Sequence, residues 1–266
     1  MSPKDLPALV MSAKRLVWRM HDHADEADKM FFKIRRPVLE AFDYTCPYCG
    51  HQAEKYQEVH HQDDDHKNNS PRNLACTCPL CHQVFHTGLA GMREGAVLAY
   101  VPELTQAELN HLCLIIWLLT EVEGNRYADQ QESLRFSRLA ARAKDIEGQL
   151  SLRHGAVLLK LRTALQGTGF PEELAQKIKL SYLSPTLISN ILMSLDDETY
   201  ARRGELLGGL RLLPRPARFR PQIAYWADEQ DKAMPPFAWH KLLPEADIVD
   251  IIESTAAKIV ELKAVA

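Results

Sequence analysis

The sequence predicts an α+β fold, with a small cysteine-bearing ββα module embedded in a mostly helical domain. Three observations carry this reading. Five of the six cysteines fall between Cys46 and Cys81. Within that span residues 56–61 read as a strand, and just after it the stretch holding His82 and His86 reads as the start of a helix. From Pro102 onward, apolar residues recur at helical spacing, interrupted only by short Gly and Pro stops.

Four zones follow in chain order. Residues 1–43 are a polar helical lead-in with a short helix expected near 31–42, and residues 44–100 hold the cysteine module. Residues 101–233 form the helical domain, and residues 234–266 an extension behind the Pro235-Pro236 break. Thr105-Gln106-Ala107-Glu108 is a capping box, in which a Thr hydroxyl accepts from a helix N–H while the Glu reaches back to the cap. It opens a helix expected to run to about 123, where Gly124-Asn125 stops it; a longer one is expected over about 132–166. Ser184-Pro185 supplies a cap and a first-turn proline ahead of Leu187, Ile188, Ile191 and Leu192. The extension ends in an amphipathic pattern over 245–265.

Composition narrows the function classes. Hydrophobic residues at 46% and charged residues at 25% exclude a disordered chain, a collagen-like repeat and a disulfide-dense miniprotein. With 32 basic and 35 acidic residues the net charge is −3, so no global field draws the chain onto nucleic acid or a membrane. The first twenty residues carry Lys4, Asp5, Lys14, Arg15 and Arg19, which does not suit a signal peptide. The most apolar run, residues 112–119, is far shorter than the roughly 20 residues that span a bilayer and reads as a buried helix. A cytoplasmic protein without membrane insertion is expected, and in a reducing compartment clustered cysteines serve as metal ligands more readily than as disulfides.

Cys46-Pro-Tyr-Cys49 and Cys78-Pro-Leu-Cys81 are two CxxC pairs separated by 28 residues. Each pair forms a knuckle that brings two sulfurs to one ion, and together they suit a tetrahedral thiolate Zn2+ site. Gly50 supplies the backbone freedom such a turn needs. Four cysteines close the coordination sphere, so this zinc is structural. Cys76 lies too close in sequence to Cys78 for a knuckle, and Cys113 sits inside the apolar helix as a core residue.

A second constellation lies between and just after the cysteine pairs. His82 and His86, four apart on a helix, present both rings to one face. With His60 they make a three-histidine site for a second divalent metal (Mg2+, Mn2+, Ni2+ or Zn2+) with positions left open for water and a phosphate. His61, on the opposite strand face, is then free to act as a general base. Asn73 would fix the intervening loop and hence the orientation of that imidazole. Asp63-Asp64-Asp65 reads as a solvated loop whose charges oppose a phosphate.

Residues 43–87 resemble the HNH, or ββα-metal, nucleases. The resemblance rests on Asp43-Tyr44-Thr45-Cys46, Glu58-Val59-His60-His61, Asn73-Leu74, Cys81-His82 and the His82-x-x-x-His86 pair. It implies a metal-dependent endonuclease cleaving DNA, with His61 and Asn73 as catalytic residues. That scaffold is also reused as an inert zinc module.

A wider resemblance points elsewhere. Residues 100–110 (YVPELTQAELN), residues 212–220 (LLPRPARFR) and Ile223-Ala224-Tyr225-Trp226, with Tyr44-Thr45-Cys46 and Cys49-Gly50, resemble the IcmJ/DotN family of type IVB secretion systems. That likeness implies a cytoplasmic, zinc-containing subunit of the coupling complex. Such a subunit binds the C-terminal tail of the coupling ATPase alongside other coupling-complex subunits, which places it at the inner-membrane face, where effectors are recruited. The chain departs from the family pattern in keeping His60 and His61. Residues 202–220 carry six arginines against Glu205 alone. On the nuclease reading they contact phosphates; on the secretion reading they receive a carboxylate-rich tail. They also suit a plain solvated face. A DNA-binding module without cleavage is disfavoured by the net charge.

Overall fold

The computed structural model of the protein describes residues 6, 8–15, 24–121, 130–154, 157, 166 and 184–233. The expected C-terminal extension and its amphipathic helix, the Gly124-Asn125 stop and most of the far half of the helix expected over 132–166 lie outside these residues.

Helix α1 (Ala24–Ala41) is longer than the short helix expected, and it carries Pro37 in its interior. It ends where Asp43 and Tyr44 take up left-handed backbone angles (φ 48° and 51°), which turn the chain into the first cysteine knuckle. Strands β1 (Glu58–His61) and β2 (Leu74–Thr77) pair antiparallel with Val59 opposite Cys76 and His61 opposite Leu74. The expected strand over 56–61 is therefore two residues shorter at its start, because Tyr56 holds a positive φ of 71° that a strand cannot accommodate.

The alternation of β1 sends its side chains two ways. Val59, with Leu74 and Cys76 of β2, packs on Val38 and Leu39 of α1. Glu58 and His60 face helix α2 (Pro79–Phe85), where His60 stacks on Phe85 with ring centroids 4.0 Å apart. The order β1-β2-α2 is thus the ββα unit expected from the sequence. Cys78 caps α2 by accepting from the Cys81 N–H, with Pro79 at the first helical position.

Helix α3 (Thr87–Met92) follows without a break, since His86 closes α2 and opens α3. Strand β3 (Ala96–Tyr100) pairs antiparallel with β4 (Leu210–Pro214), and this second sheet was not expected from the sequence. It ties the cysteine-bearing half of the chain to the segment beyond residue 200. Helix α4 (Gln106–Glu121) begins at the expected capping box: Glu108 N–H donates to Thr105 Oγ1 and Thr105 N–H to Glu108 Oε2. It is buried from Leu112 to Leu119 and packs against α5 (Gln130–Ser151), β4 and α9 (Arg220–Ala233). Three α-helices lie between α5 and β4 among the described residues: α6 (Pro185–Ser194), α7 (Asp197–Ala201) and α8 (Arg203–Leu207). Ser184 caps α6 as expected.

Two devices pin the cysteine-bearing half to the rest. Helices α3 and α6 approach so closely that a Cβ on Gly91 would lie 2.4 Å from Thr186 Oγ1 and 2.6 Å from the Thr186 nitrogen, so only glycine fits there. Residues 8–15 run as a strap: Ser12 exchanges backbone hydrogen bonds with Val84 and Thr87, and the Tyr200 hydroxyl bonds Ala13. Among the described residues, no helix is long and apolar enough to cross a membrane.

Candidate metal centres

The two CxxC knuckles converge. The sulfurs of Cys46, Cys49, Cys78 and Cys81 all lie within 4.8 Å of one another, and Cys49 and Cys78 are 3.6 Å apart. All four residues are buried, and none forms a disulfide. The first knuckle closes through Gly50 N–H donating to the Cys46 carbonyl at 2.8 Å, with Gly50 at φ +76°. The second is the first turn of α2, where the Cys81 N–H reaches Cys78 Sγ at 3.4 Å. Asn110, wholly buried in α4, donates to the Leu80 carbonyl at 3.1 Å and to Cys81 Sγ at 3.4 Å. Its Oδ1 accepts from Gln106, which in turn brackets the backbone of Leu212 in β4.

The electrostatics of this group favour a cation. Burial pushes the Cys78 and Cys81 thiols well above the ordinary range, and the neighbouring cysteines push further. Cys46 moves the other way: against the cost of burial, the thiols of Cys49, Cys78 and Cys81 converge on its sulfur and hold it low. Protein groups alone cannot offset four thiolates in so dry a space, whereas a divalent ion can. The donor set, its closure and its N–H···S support fit a metal such as zinc. Cys76 and Cys113 lie apart from the group. Cys76 is on the α1 side of β2, where burial raises its pKa to about 12, and Cys113 is in the core of α4.

The second group is on the α2 side of β1. Ring nitrogens of His60, His82 and His86 lie within 4.8 Å of one another, with His82 Nε2 and His86 Nε2 3.2 Å apart. Glu58, two residues before His60 and on the same strand face, bonds His82 Nδ1. That contact fixes the His82 tautomer, with the proton on Nδ1 and the Nε2 lone pair turned toward His86. Glu58 titrates below its ordinary value despite its burial, because His82 favours the carboxylate. Burial, with the neighbouring imidazoles second, depresses His60 to about 2 and His86 to about 2, so both rings are neutral and their lone pairs available.

His61 does not join this group. It lies on the opposite strand face, between the rings of Phe31 (5.5 Å) and His66 (4.7 Å), and its Nε2 meets Asn69 Oδ1 at 3.0 Å. Burial lowers its basicity. Asn73 acts on the loop: its amide donates to Asp63 Oδ1 and the Asn68 carbonyl, and its Oδ1 accepts from the Asp63 N–H. Asn69, the residue that holds His61, is thereby positioned through its neighbour. Asp63 is occupied within the loop by Asn68, Asn73 and the Asp65 N–H.

No family model matches the chain. Over 213 residues, however, it is 29% identical to the type 4 apparatus protein DotN of Legionella pneumophila, with 79% of this chain and 85% of that protein covered. The chain is thus similar to the IcmJ/DotN protein over most of its length. The breadth of the match means that the family likeness extends beyond the ββα unit into the helical part. Sequence reading missed two supporting residues of these candidate metal centres. Glu58 had a signal, its two-residue spacing from His60 on one strand face. Asn110 had another, a polar residue just ahead of the longest apolar run in the chain.

Proposed function

We propose that the chain is a cytoplasmic component of a type IVB secretion coupling complex, docking on the C-terminal region of the coupling ATPase and serving in effector recruitment. The likeness to DotN over 79% of the chain supports this reading. The cysteine group holds Zn2+ and acts as a staple: with four protein ligands it leaves no position for substrate. It joins the first knuckle to α2, and through Asn110 to α4 and β4, so the metal supports the surface of the helical part. The test is copurification of the full chain with the C-terminal region of the coupling ATPase from the same organism. Retention of the ATPase region on the wild-type chain is expected, and failure to retain it overturns the reading.

A second reading is favoured by one observation, the convergence of His60, His82 and His86 with Glu58 behind His82. These three residues would hold a second divalent ion. When bound, such an ion stabilises charge on a phosphate and on a leaving oxygen. His61 would accept the proton of an attacking water at Nδ1, its Nε2–H being committed to Asn69, and Asn73 would keep that loop in place. A plasmid-nicking assay with Mg2+, Mn2+, Ni2+ and Zn2+, run beside His61→Ala, tests this. Nicking that His61→Ala abolishes supports the enzyme; no nicking with any of the four ions overturns it.

A further inference from the structure

Facing the histidines is a set of groups in which Arg218, from the arginine-rich segment 202–220, meets residues that neither reading assigns. His82, His86 and Glu58 form one side of a cavity of about 190 Å³, and Gln83, Arg93 and Arg218 line the rest with Gln222. Arg93 follows α3, whereas Arg218 comes from the short turn before α9 (Pro216–Arg218). The two are brought together by the β3–β4 pairing and by the Arg215 N–H donating to the Gly95 carbonyl at 2.9 Å. Gly95 keeps this junction open: a Cβ there would meet Gln83 Oε1 at 2.7 Å and Arg218 Cγ at 3.7 Å.

Glu58, His82 and His86 are paired with one another, whereas the groups facing them are less fully engaged. Arg215 pairs with Glu94 at 4.0 Å, but among the described residues neither Arg93 nor Arg218 closes a salt bridge. Gln83 Nε2 is shielded from solvent with no hydrogen-bond acceptor, and Gln222 Oε1 is shielded with no donor. Arg93 feels the Glu58 carboxylate only at a distance, and two guanidiniums without a salt bridge beside an unsatisfied buried amide donor on one small cavity are the complement of an anion.

We infer that this cavity binds a phosphate-type oxyanion between Arg93, Arg218 and the Gln83 amide, with the His82–His86 edge behind it. The inference rests on the second reading above only for the metal on that edge. Donors arriving from two separate elements and a side-chain amide suit a tetrahedral group; a planar carboxylate is satisfied by one guanidinium fork. The volume admits a phosphate with a few waters, at about 30 Å³ per water, but not a packed peptide segment. Glu58 is engaged by His82, and its negative charge explains why more than one arginine is needed.

The experiment is a calorimetric titration of inorganic phosphate, and separately of acetate, into the full zinc-loaded chain and its Arg93→Gln, Arg218→Gln and double variants. Both arginines are exposed, so the variants keep the fold. Saturable phosphate binding is expected, weaker by about fivefold for each arginine removed and at least about fivefold stronger than acetate. Equal binding in the wild type and the double variant, equal binding of acetate, or no saturable binding each overturns the proposal. Cobalt titration of the same proteins reads the metal separately: the arginine variants keep the wild-type cobalt affinity and His82→Ala loses it. If the wild type takes no cobalt at the histidines, the metal reading fails while arginine-dependent phosphate binding still supports the oxyanion site.

Discussion

Asn110 Nδ2 donates to Cys81 Sγ at 3.4 Å and shares its other hydrogen with the Leu80 carbonyl, so one buried amide couples the central helix to the second cysteine knuckle. Removing it leaves a buried carbonyl, a sulfur and the Gln106 amide short of partners. Asn110→Ala is expected to cost about 1–3 kcal/mol and to hasten loss of the cysteine-bound metal to a chelator. Thermal unfolding and chelator-competition rates check both; unchanged values on both would show that the contact is incidental.

The cysteine group itself should dominate stability. Structural zinc contributes about 10–16 kcal/mol to the folding of small zinc domains, more than most whole domains have in reserve. Cys49→Ser, or stripping with a strong chelator, is expected to lower the metal content by one ion per chain and to melt β1, β2 and α2 before the helices packed on α4. Metal analysis beside circular dichroism measures this, and an unshifted melt after complete metal removal would contradict it.

How far these centres were legible in advance depended on how local their geometry is. A CxxC knuckle is set within one turn, so Cys46, Cys49, Cys78 and Cys81 follow from spacing alone. His60, His82 and His86 follow from two periods, alternation along a strand and one turn of a helix. The β3–β4 sheet was illegible because its partners meet more than a hundred residues apart, and a short apolar run such as residues 96–100 does not show its pairing. The same pairing brings Arg218 beside Arg93, which turns part of the arginine-rich segment 202–220 from a distant basic stretch into a wall of the histidine cavity.

Glu58 orients His82 from the strand face that it shares with His60. Carboxylate partners of metal-ligating histidines typically contribute 10–100-fold in metal affinity. Glu58→Ala is therefore expected to weaken cobalt or nickel binding at the histidines by about that factor while leaving the cysteine-bound ion in place. Titration followed by visible absorption reads the first, and total metal analysis the second.

Acid should destabilise the histidine cluster before it protonates there. His60 and His86 sit at about 2 in the folded chain, against an ordinary value of about 6.5. Between those values the unfolded chain binds more protons, so stability rises with pH through that window. The contribution is complete above about pH 6.5 and is lost progressively as the pH falls toward 2. Melting temperatures from pH 7.5 to 5, with no ion added at the histidines, should fall with acidification. His60→Gln combined with His86→Gln should flatten that slope; an unchanged slope would assign the acid sensitivity to other groups.

Service as a metal-stapled docking subunit, the role proposed for this chain, is tested most directly by binding of the coupling-ATPase C-terminal region. The affinity of the full chain for that region should survive His61→Ala and His60→Ala and be lost when the cysteine-bound metal is removed. Absence of binding by the intact, metal-replete chain, with plasmid nicking that His61→Ala abolishes, would contradict it.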